Sequence, residues 1–507
     1  MEEQTRRNNL TFIKKIFQKL IYLFGGLVTG LALLIMFAAW QFSYGPIPLG
    51  FLSPYIEAAV NRGANDISIR MGEPILTWAG WDRALDIRIM DVEFVDHAGI
   101  KIGSIPEAAF SISGDALLHG MLAPKSIDLF GPSLHFHRGQ DGSIDVGFGA
   151  QSLTSKGGAF SLIGAILEKG PKNKSLSYLT RIAIVDADIT ITDQVLSKSW
   201  HLPSADMRID RFIDRLNGRL SLVLDEVQQQ TAFDIHVEYL SGSGEIMANV
   251  EFDQASPAMF ADIMGGLAPL RYIETPLSGA ISLSMPIDGE IDHVEMSLSG
   301  GSGKLHLPKP FSQTLEVTKI AMSASYDGKQ KSGLIDKLFV ELVSGSTLSL
   351  PSPLEHSLPL SSFELSASFE DDGAKWAVSN IQADLGGPQL KLEVQSERIG
   401  LSAELVKLDI AGDLSNIPIS NLPLVWPKDV GTDARNWVFQ HIKGGNIPLV
   451  SFLGQFQFSS SSGITIDNLS GNMNVRNVVV DYLPPLPAVA IDAADMTFNE
   501  SRFTIKV

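Results

Sequence analysis

Residues 232–252 read AFDIHVEYLSGSGEIMANVEF, in which apolar and polar side chains alternate almost one by one on either side of a Gly-rich centre. Successive side chains of a β-strand point to opposite faces of the sheet, so the alternation predicts two strands with one apolar and one wet face. The stretch between them, Gly242-Ser243-Gly244, is typical of a hairpin turn. This part of the chain therefore predicts antiparallel β-structure.

The same pattern recurs through most of the sequence. Its alternate positions predict one apolar face, made of Phe233, Ile235, Val237, Tyr239, Ile246, Val250, Phe252, Ile281, Leu283, Met285, Val294, Met296, Leu298, Phe363, Leu365, Phe369, Leu390, Leu392 and Val394. Hairpin signals separate the runs, at Asp141-Gly142, Asp288-Gly289, Asp327-Gly328, Asp372-Gly373 and Gly386-Gly387. Asp-Gly suits a type I′ turn, since both central residues of that turn need positive φ. We expect antiparallel meanders and no parallel α/β sheet.

Few segments have the pattern of a helix. The candidates are residues 53–60, 160–169, 257–264 and 432–442, the last of which is capped by Thr432 or Asp433 and stopped by Gly444-Gly445. So few helices leave much apolar strand surface to be covered. Three arrangements would solve this: sheet packed on sheet, a closed barrel, or a long sheet curled into a groove that holds something else.

Composition excludes several classes of function. The 507 residues include 39 Lys+Arg and 57 Asp+Glu, and the net charge of −18 argues against binding to nucleic acid phosphates. The 45% hydrophobic content is enough for a large core, so global disorder is excluded. The absence of cysteine excludes a disulfide scaffold, a thiolate metal site and a cysteine nucleophile.

The N-terminal region has the pattern of a membrane anchor. Ile21 to Trp40 reads IYLFGGLVTGLALLIMFAAW without a charge, and as a helix it would span the ~30 Å of a bilayer core. Positive charges precede it between Arg6 and Lys19, and the next charge is Glu57. The positive-inside rule then keeps the N-terminus in the cytoplasm and exports the rest. A cleaved signal peptide is the alternative, but its apolar region would be shorter and would end at small residues.

A search for catalytic or metal-binding motifs finds none that is convincing. Gly301-Ser302-Gly303-Lys304 resembles part of a phosphate-binding loop, but Leu298 occupies the place of the first glycine and Leu305 follows the lysine. His135 and His137 share one strand face without a third ligand nearby in the sequence. We therefore predict no enzyme, no catalytic residue, no metal and no cofactor.

The order of several loose motifs resembles a known family. After the anchor come Ser53-Pro54-Tyr55-Ile56-Glu57, then Leu129-Phe130-Gly131-Pro132 and Asp141-Gly142-Ser143. Later the chain has Trp426 and Pro427, then Arg435 and Trp437, then Gly445. These features resemble the bacterial AsmA-like proteins, in particular their YhdP-type branch. Members of that branch are usually much longer, so the resemblance indicates a truncated or split product ending at Val507.

The resemblance implies an inner-membrane anchor and a periplasmic body of long, curled, antiparallel β-sheet with a few short helices. It implies transport of phospholipid along an apolar groove toward the outer membrane, in support of outer-membrane lipid homeostasis and barrier integrity. The expected partners are acyl chains, the inner membrane and envelope proteins. The expected parts of the chain are a cytoplasmic N-terminus (1–20), the anchor (21–42), an N-terminal β region (43–150), the groove (151–420) and a helix with further strands (421–507).

A second hypothesis gives the exported body another role. If the strands form closed, dry sandwiches, the protein is a non-enzymatic envelope scaffold or assembly factor. A continuous apolar face would favour lipid transport, and mutually buried apolar faces would favour the scaffold.

Overall fold

A computed structural model describes residues 22–30, 32–33, 36–37, 40, 45–54, 68–77, 86–95, 101–121, 123–140, 144–148, 175–225, 230–260, 270–287, 289–307, 311–350, 356–370, 375–399, 405–426, 428, 431–459, 463–482, 485–499 and 502–506. These residues are mainly strand, as the alternation predicts, with few and short helices. The chain divides into two compact units: unit 1, residues 1–192 with 208–211, and unit 2, residues 193–207 with 212–507. The predicted boundaries at 150 and 420 stay predictions.

Unit 1 contains the first strands, with a short helix between two of them. They are β1 (Ile47–Pro48), β2 (Ser68–Arg70), β3 (Pro74–Thr77), β4 (Asp86–Val95), β5 (Lys101–Ile112), α1 (Gly114–Leu118), β6 (Pro124–Phe130), β7 (Ser133–Arg138), β8 (Ile144–Phe148) and β9 (Arg181–Asp193). Strand β4 pairs antiparallel with β2, β3 and β5, and a small core of Ile89, Val92, Ile105 and Ala108 lies on these strands.

Two features of unit 1 differ from the prediction. Strands β6 and β9 pair in parallel, with Ser126 opposite Arg181, so the sheet is mixed and not wholly antiparallel. Parallel neighbours need a long crossover connection, and here it passes through β7, β8 and the residues before Ser175. Helix α1 was not predicted either. Its N-cap is Ser113, whose hydroxyl accepts a hydrogen bond from the Ala116 backbone N–H at 3.2 Å.

Unit 2 is an antiparallel meander. Its strands are β10 (Lys198–Arg211, of which 198–207 belong to this unit), β11 (Arg215–Asp225), β12 (Gln230–Leu240), β13 (Glu245–Ala255), β14 (Leu277–Pro286), β15 (His293–Gly300), β16 (Gly303–Leu307), β17 (Gln313–Asp327), β18 (Ser332–Leu342), β19 (Thr347–Ser349), β20 (Ser357–Pro359), β21 (Ser362–Glu370), β22 (Lys375–Asp384), β23 (Gln389–Ile399), β24 (Leu405–Pro418), β25 (Ile442–Lys443), β26 (Asn446–Ser459), β27 (Gly463–Val480), β28 (Val489–Asn499) and β29 (Phe503–Lys506).

The pairing order of this meander is nearly the order of the sequence. From β11 to β29 each strand pairs antiparallel with the next, except that β15 pairs with β17, β18 with β21 and β24 with β26. Strands β16 and β25 add to β17 and β27, and β19 pairs with β20 alone. Among the described residues no pairing joins β11 to β29, so the meander does not close on itself and a barrel is not formed.

The connections differ sharply between the two ends of the unit 2 strands. At one end, here called the hairpin end, they are short and include residues 241–244, 287–292 and 328–331. At the other, the insertion end, they include residues 256–276, 343–361 and 419–445. The last insertion contains helices α2 (Leu422–Val425) and α3 (Thr432–His441).

The other helix and turn predictions have mixed outcomes. Helix α3 confirms the helix predicted over 432–442, but its N-cap is Gly431, without a side-chain hydrogen bond, and not Thr432 or Asp433. Pro257–Phe260 forms a 3-10 helix instead of the start of an α-helix. Residues 160–169, and most of 53–60, lie outside the described residues. The predicted type I′ turn at Asp327-Gly328 is wrong, because Asp327 pairs with Ser332 and the turn spans 328–331.

The predicted anchor is described in part. Residues 22–30, 32–33, 36–37 and 40 are helical. Tyr22, Leu23, Phe24, Leu27, Val28, Leu33, Met36, Phe37 and Trp40 are exposed. Within the described residues, no helix reaches the length and apolar character that a membrane crossing requires.

Candidate functional site

The register of unit 2 brings the predicted apolar residues together in rows that run across the strands. Directly opposite residues of paired strands lie on the same face of a sheet, so each row follows from the pairing alone. The first row contains Val237, Ala248, Leu283, Val294 and Tyr326. The second contains Ile235, Val250, Ile281, Met296 and Ala324. The third contains Phe233, Phe252, Gly279, Leu298 and Met322.

These rows continue into the later strands. Across β18 and β21–β23, the second row passes through Ile335, Ala367, Val378 and Val394, and the third through Leu338, Leu365, Ile381 and Leu392. Phe369 continues the first row by its backbone register opposite Gly333. Phe363 and Leu390 lie in a fourth row with Leu277, Ile320, Val340 and Ala383. We call the surface formed by these rows the apolar face.

A border row completes the apolar face at the hairpin end. It contains Leu216, Tyr239, Ile246 and Met285, which lie opposite one another on β11, β12, β13 and β14. Every apolar residue predicted from the alternation therefore lies in one of the rows of this face. Whether the face binds lipid is a separate question, which the register does not answer.

Burial changes along the strands. In the fourth row Val340 is 1% exposed and Leu277 is 7% exposed, and both belong to a buried cluster at the insertion end. The first row differs, because Val237, Leu283 and Val294 are only partly buried. The insertion end of the apolar face is thus a packed core, while the rows toward the hairpin end keep apolar surface within reach of solvent.

The apolar face also contains residues that the sequence analysis did not predict. Leu220 and Leu222 of β11 alternate regularly and were readable from the sequence. In contrast, Ile335 and Leu338 are three residues apart, which breaks the period of two. A β-bulge in β18 inserts one extra residue between them and returns both side chains to the same face. Val378 and Ile381 of β22 are hidden by a bulge of the same kind.

Helix α3 covers the insertion end of the last strands. Val438 packs into a core cluster with Ile417 of β24, Ile447 of β26 and Val475 of β27. Arg435 attaches the helix to the preceding segment: its Nε donates a hydrogen bond to the Trp426 carbonyl oxygen at 3.2 Å, and its guanidinium lies 4.5 Å from the Phe439 ring centroid. These contacts assign a packing role to Trp426 and Arg435.

The remaining residues of the predicted signature have different positions. Trp437 is 39% exposed and stacks on His441 with ring centroids 5.3 Å apart. Gly445 has φ of 92°, and a Cβ there would lie 2.6 Å from Val478 Cγ1, so only glycine fits. Pro427 lies outside the described residues. Among the described members of the signature, Trp437 is the one with an exposed side chain.

The opposite, polar face has the features of an ordinary wet sheet surface. An open cavity of about 680 Å³ lies on it, lined by Asp206, Asp234, Glu251 and Asp253 among others. Hydroxyl groups donate to two of these carboxylates: Ser221 donates to Asp234 at 3.1 Å, and Ser278 to Asp253 at 2.6 Å. In the part of the chain that the structure describes, no group of three or more His, Asp or Glu side chains could hold a metal ion.

The family that the motifs resemble stays a prediction. It rests on the order of those motifs in the sequence and on nothing outside the chain. Comparison of this chain with family models, with curated proteins and with solved structures finds no match.

Proposed function

We propose that this protein carries phospholipid, with acyl chains lying on the apolar face of unit 2. The observation that carries the proposal is the register: rows of apolar side chains continue from strand to strand without a polar interruption across β12–β15. A large apolar surface that stays partly open to solvent usually has a partner. Carriage of an intact lipid requires no nucleophile and no metal.

The proposal extends to the location of the protein. The uncharged segment Ile21–Trp40, with its exposed apolar side chains and the positive charges before it, supports an anchor in a bacterial inner membrane with the body in the periplasm. The resemblance to AsmA-like proteins supports movement of phospholipid toward the outer membrane, along a sheet curled into a groove.

The test is to count phospholipid bound to residues 45–507 by native mass spectrometry with lipid extraction. Val237→Asp and Leu283→Asp each place a carboxylate in the first row, where both residues flank Ala248. We expect bound phospholipid to fall severalfold in both variants, because burying a charge beside an acyl chain is costly.

The matched control is Ser282→Asp, which adds the same charge one residue from Leu283 on the exposed, polar face. It should leave the bound phospholipid unchanged. Unchanged lipid in folded Val237→Asp and Leu283→Asp variants would contradict the proposal. A folded body that never binds lipid would favour the second hypothesis, an envelope scaffold.

A further inference from the structure

The hairpin end of β11–β18 forms one connected rim. Its turns are residues 212–214, 241–244, 287–292 and 328–331, which we call the hairpin rim. Backbone hydrogen bonds join each turn to the next: Ser241 N–H donates to the Asp214 oxygen at 2.9 Å, Ile287 N–H to the Gly244 oxygen at 2.9 Å, and Gly328 N–H to the Asp292 oxygen at 2.8 Å. The turns therefore hold fixed positions relative to one another.

Large apolar side chains project from this rim. Ile213 is 90% exposed and Ile287 is 58% exposed, and Phe212 and Ile291 are exposed beside them. Short hairpin turns ordinarily carry polar residues, because nothing in the fold buries their side chains. A row of exposed aliphatic and aromatic tips on connected turns indicates contact with another apolar phase.

The charges of the rim indicate what kind of surface it would contact. The rim carries two cations, Lys329 and Lys331, and Lys329 Nζ lies 2.9 Å from Asp292 Oδ2. Asp214, Asp292 and Glu290 outnumber these cations, so the rim has a net negative charge. Such a surface is repelled by anionic lipid headgroups and is compatible with zwitterionic ones, which carry no net charge.

The rim is also continuous with the apolar face. Leu216 lies two residues after the first turn, and Met285 lies two residues before the third, so the border row begins close behind the exposed tips. The opposite margin is closed by the buried clusters of the insertion end. Within unit 2, an apolar path thus leads from the rim over the border row to the first row.

We propose that the hairpin rim inserts Ile213 and Ile287 into the surface of a zwitterionic phospholipid bilayer, and that acyl chains cross the border row from that bilayer to the apolar face. The second half of this proposal rests on the proposed function. Isolated aliphatic tips on narrow turns enter a fluid lipid surface readily, whereas a folded protein partner would need pockets at matching spacing.

The experiment uses the full chain, which contains no cysteine. Single cysteines replace Ile213, Ile287 or, as a control, Leu453, which is 63% exposed on the polar face of β26. Each is labelled with an environment-sensitive fluorophore, and the protein is held in nanodiscs of unlabelled phosphatidylcholine. Phosphatidylcholine vesicles with or without a spin-labelled quencher lipid are then added.

We expect the labels at 213 and 287 to lose roughly half of their emission with quencher vesicles, because the tips reach the headgroup–acyl boundary, while the label at 453 is unchanged. Ile213→Asp should abolish quenching of the label at 287. Vesicles rich in phosphatidylglycerol should quench less, and stronger quenching by them would overturn the choice of a zwitterionic surface.

Equal quenching at 453 and 287, or none at either, would overturn docking by the rim. Bound phospholipid is counted separately on residues 45–507, as described above, so the two proposals can fail separately. If bound phospholipid depends on Val237 but the rim labels are not quenched, the proposed function stands and docking by the hairpin rim is overturned. Quenching at the rim without any bound lipid supports docking and overturns the transfer of acyl chains.

Discussion

Arg435 holds helix α3 in place through two contacts of one planar side chain. Its Nε donates to the Trp426 carbonyl, its guanidinium covers the Phe439 ring, and the Trp426 and Phe439 rings meet edge to face at 6.1 Å. Lysine keeps the charge but has neither the fork nor the plane. We expect Arg435→Lys to lower the free energy of unfolding by ~1–2 kcal/mol.

The measurement for Arg435→Lys is urea unfolding followed by tryptophan fluorescence, with Arg476→Lys as the matched control. Arg476 is exposed on β27, so its substitution should change the free energy of unfolding by less than ~0.5 kcal/mol. Equal stability of the two variants would show that the Arg435 contacts do not hold the helix.

Asp210 makes the stability of unit 1 depend on pH. Partial burial by itself raises the pKa of this carboxyl, but hydrogen bonds from Arg208 and from Arg181, whose Nε lies 2.7 Å away, outweigh it and bring the pKa below its ordinary value of 3.8. A lowered pKa favours the charged form in the folded state. The stabilisation is therefore complete above the unfolded pKa and is lost as pH falls through the folded one.

We expect Asp210→Asn to melt at a lower temperature than the natural chain at pH 7. The gap should narrow as pH falls below ~4, because the Asp210 carboxyl of the unfolded natural chain is protonated there before the folded one is. Circular dichroism melts of both proteins, at pH 7 and at a pH below ~4, measure this gap in melting temperature. A gap of the same size at both would mean that the carboxylate charge does not stabilise the fold.

Glycines in the later strands make room for aromatic rings on the apolar face. A Cβ on Gly412 of β24 would meet the Phe452 ring of β26 and would lie 2.7 Å from Leu392 Cδ2 of β23. Likewise, a Cβ on Gly471 of β27 would lie 2.5 Å from Cζ of the Phe498 ring of β28. Rings lying over glycines of the next strand pin the register of the paired strands.

We expect Gly412→Ala to destabilise the protein by ~1–3 kcal/mol, because the added methyl group displaces a packed ring. Thermal unfolding monitored by circular dichroism is the measurement. Gly301→Ala is the control, since a Cβ there meets nothing within 4 Å. If both variants melted at the same temperature, the Phe452 ring would not be tightly held.

Between elements, the pairing decides more than the alternation does. The period of two in β12 and β15 predicts which residues share a face, and the structure places those residues on one face. It does not state that β6 pairs in parallel with β9, nor that bulges in β18 and β22 keep the rows aligned. Both depend on partners far away in the sequence, so no local pattern contains them.

At the scale of unit 2, the two ends of the strands have different roles. Long insertions and helix α3 bury one margin of the apolar face, and short turns leave the other open. In an antiparallel meander, alternate connections fall at opposite ends of the sheet. Insertions at alternate connections therefore accumulate on one side, which gives the apolar face a closed margin and an accessible one.

The amino-acid sequence by itself determined the strands of the face, the helix over 432–442, and the choice of side chains that lie together. The physical reason is that pleat and helix periodicity act over a few residues. The tertiary structure alone decided which rows meet, that Arg435 covers Phe439, and that Ile213 and Ile287 lie on one rim. Each of these depends on contacts between distant segments, whose positions are set by the packing of the whole sheet.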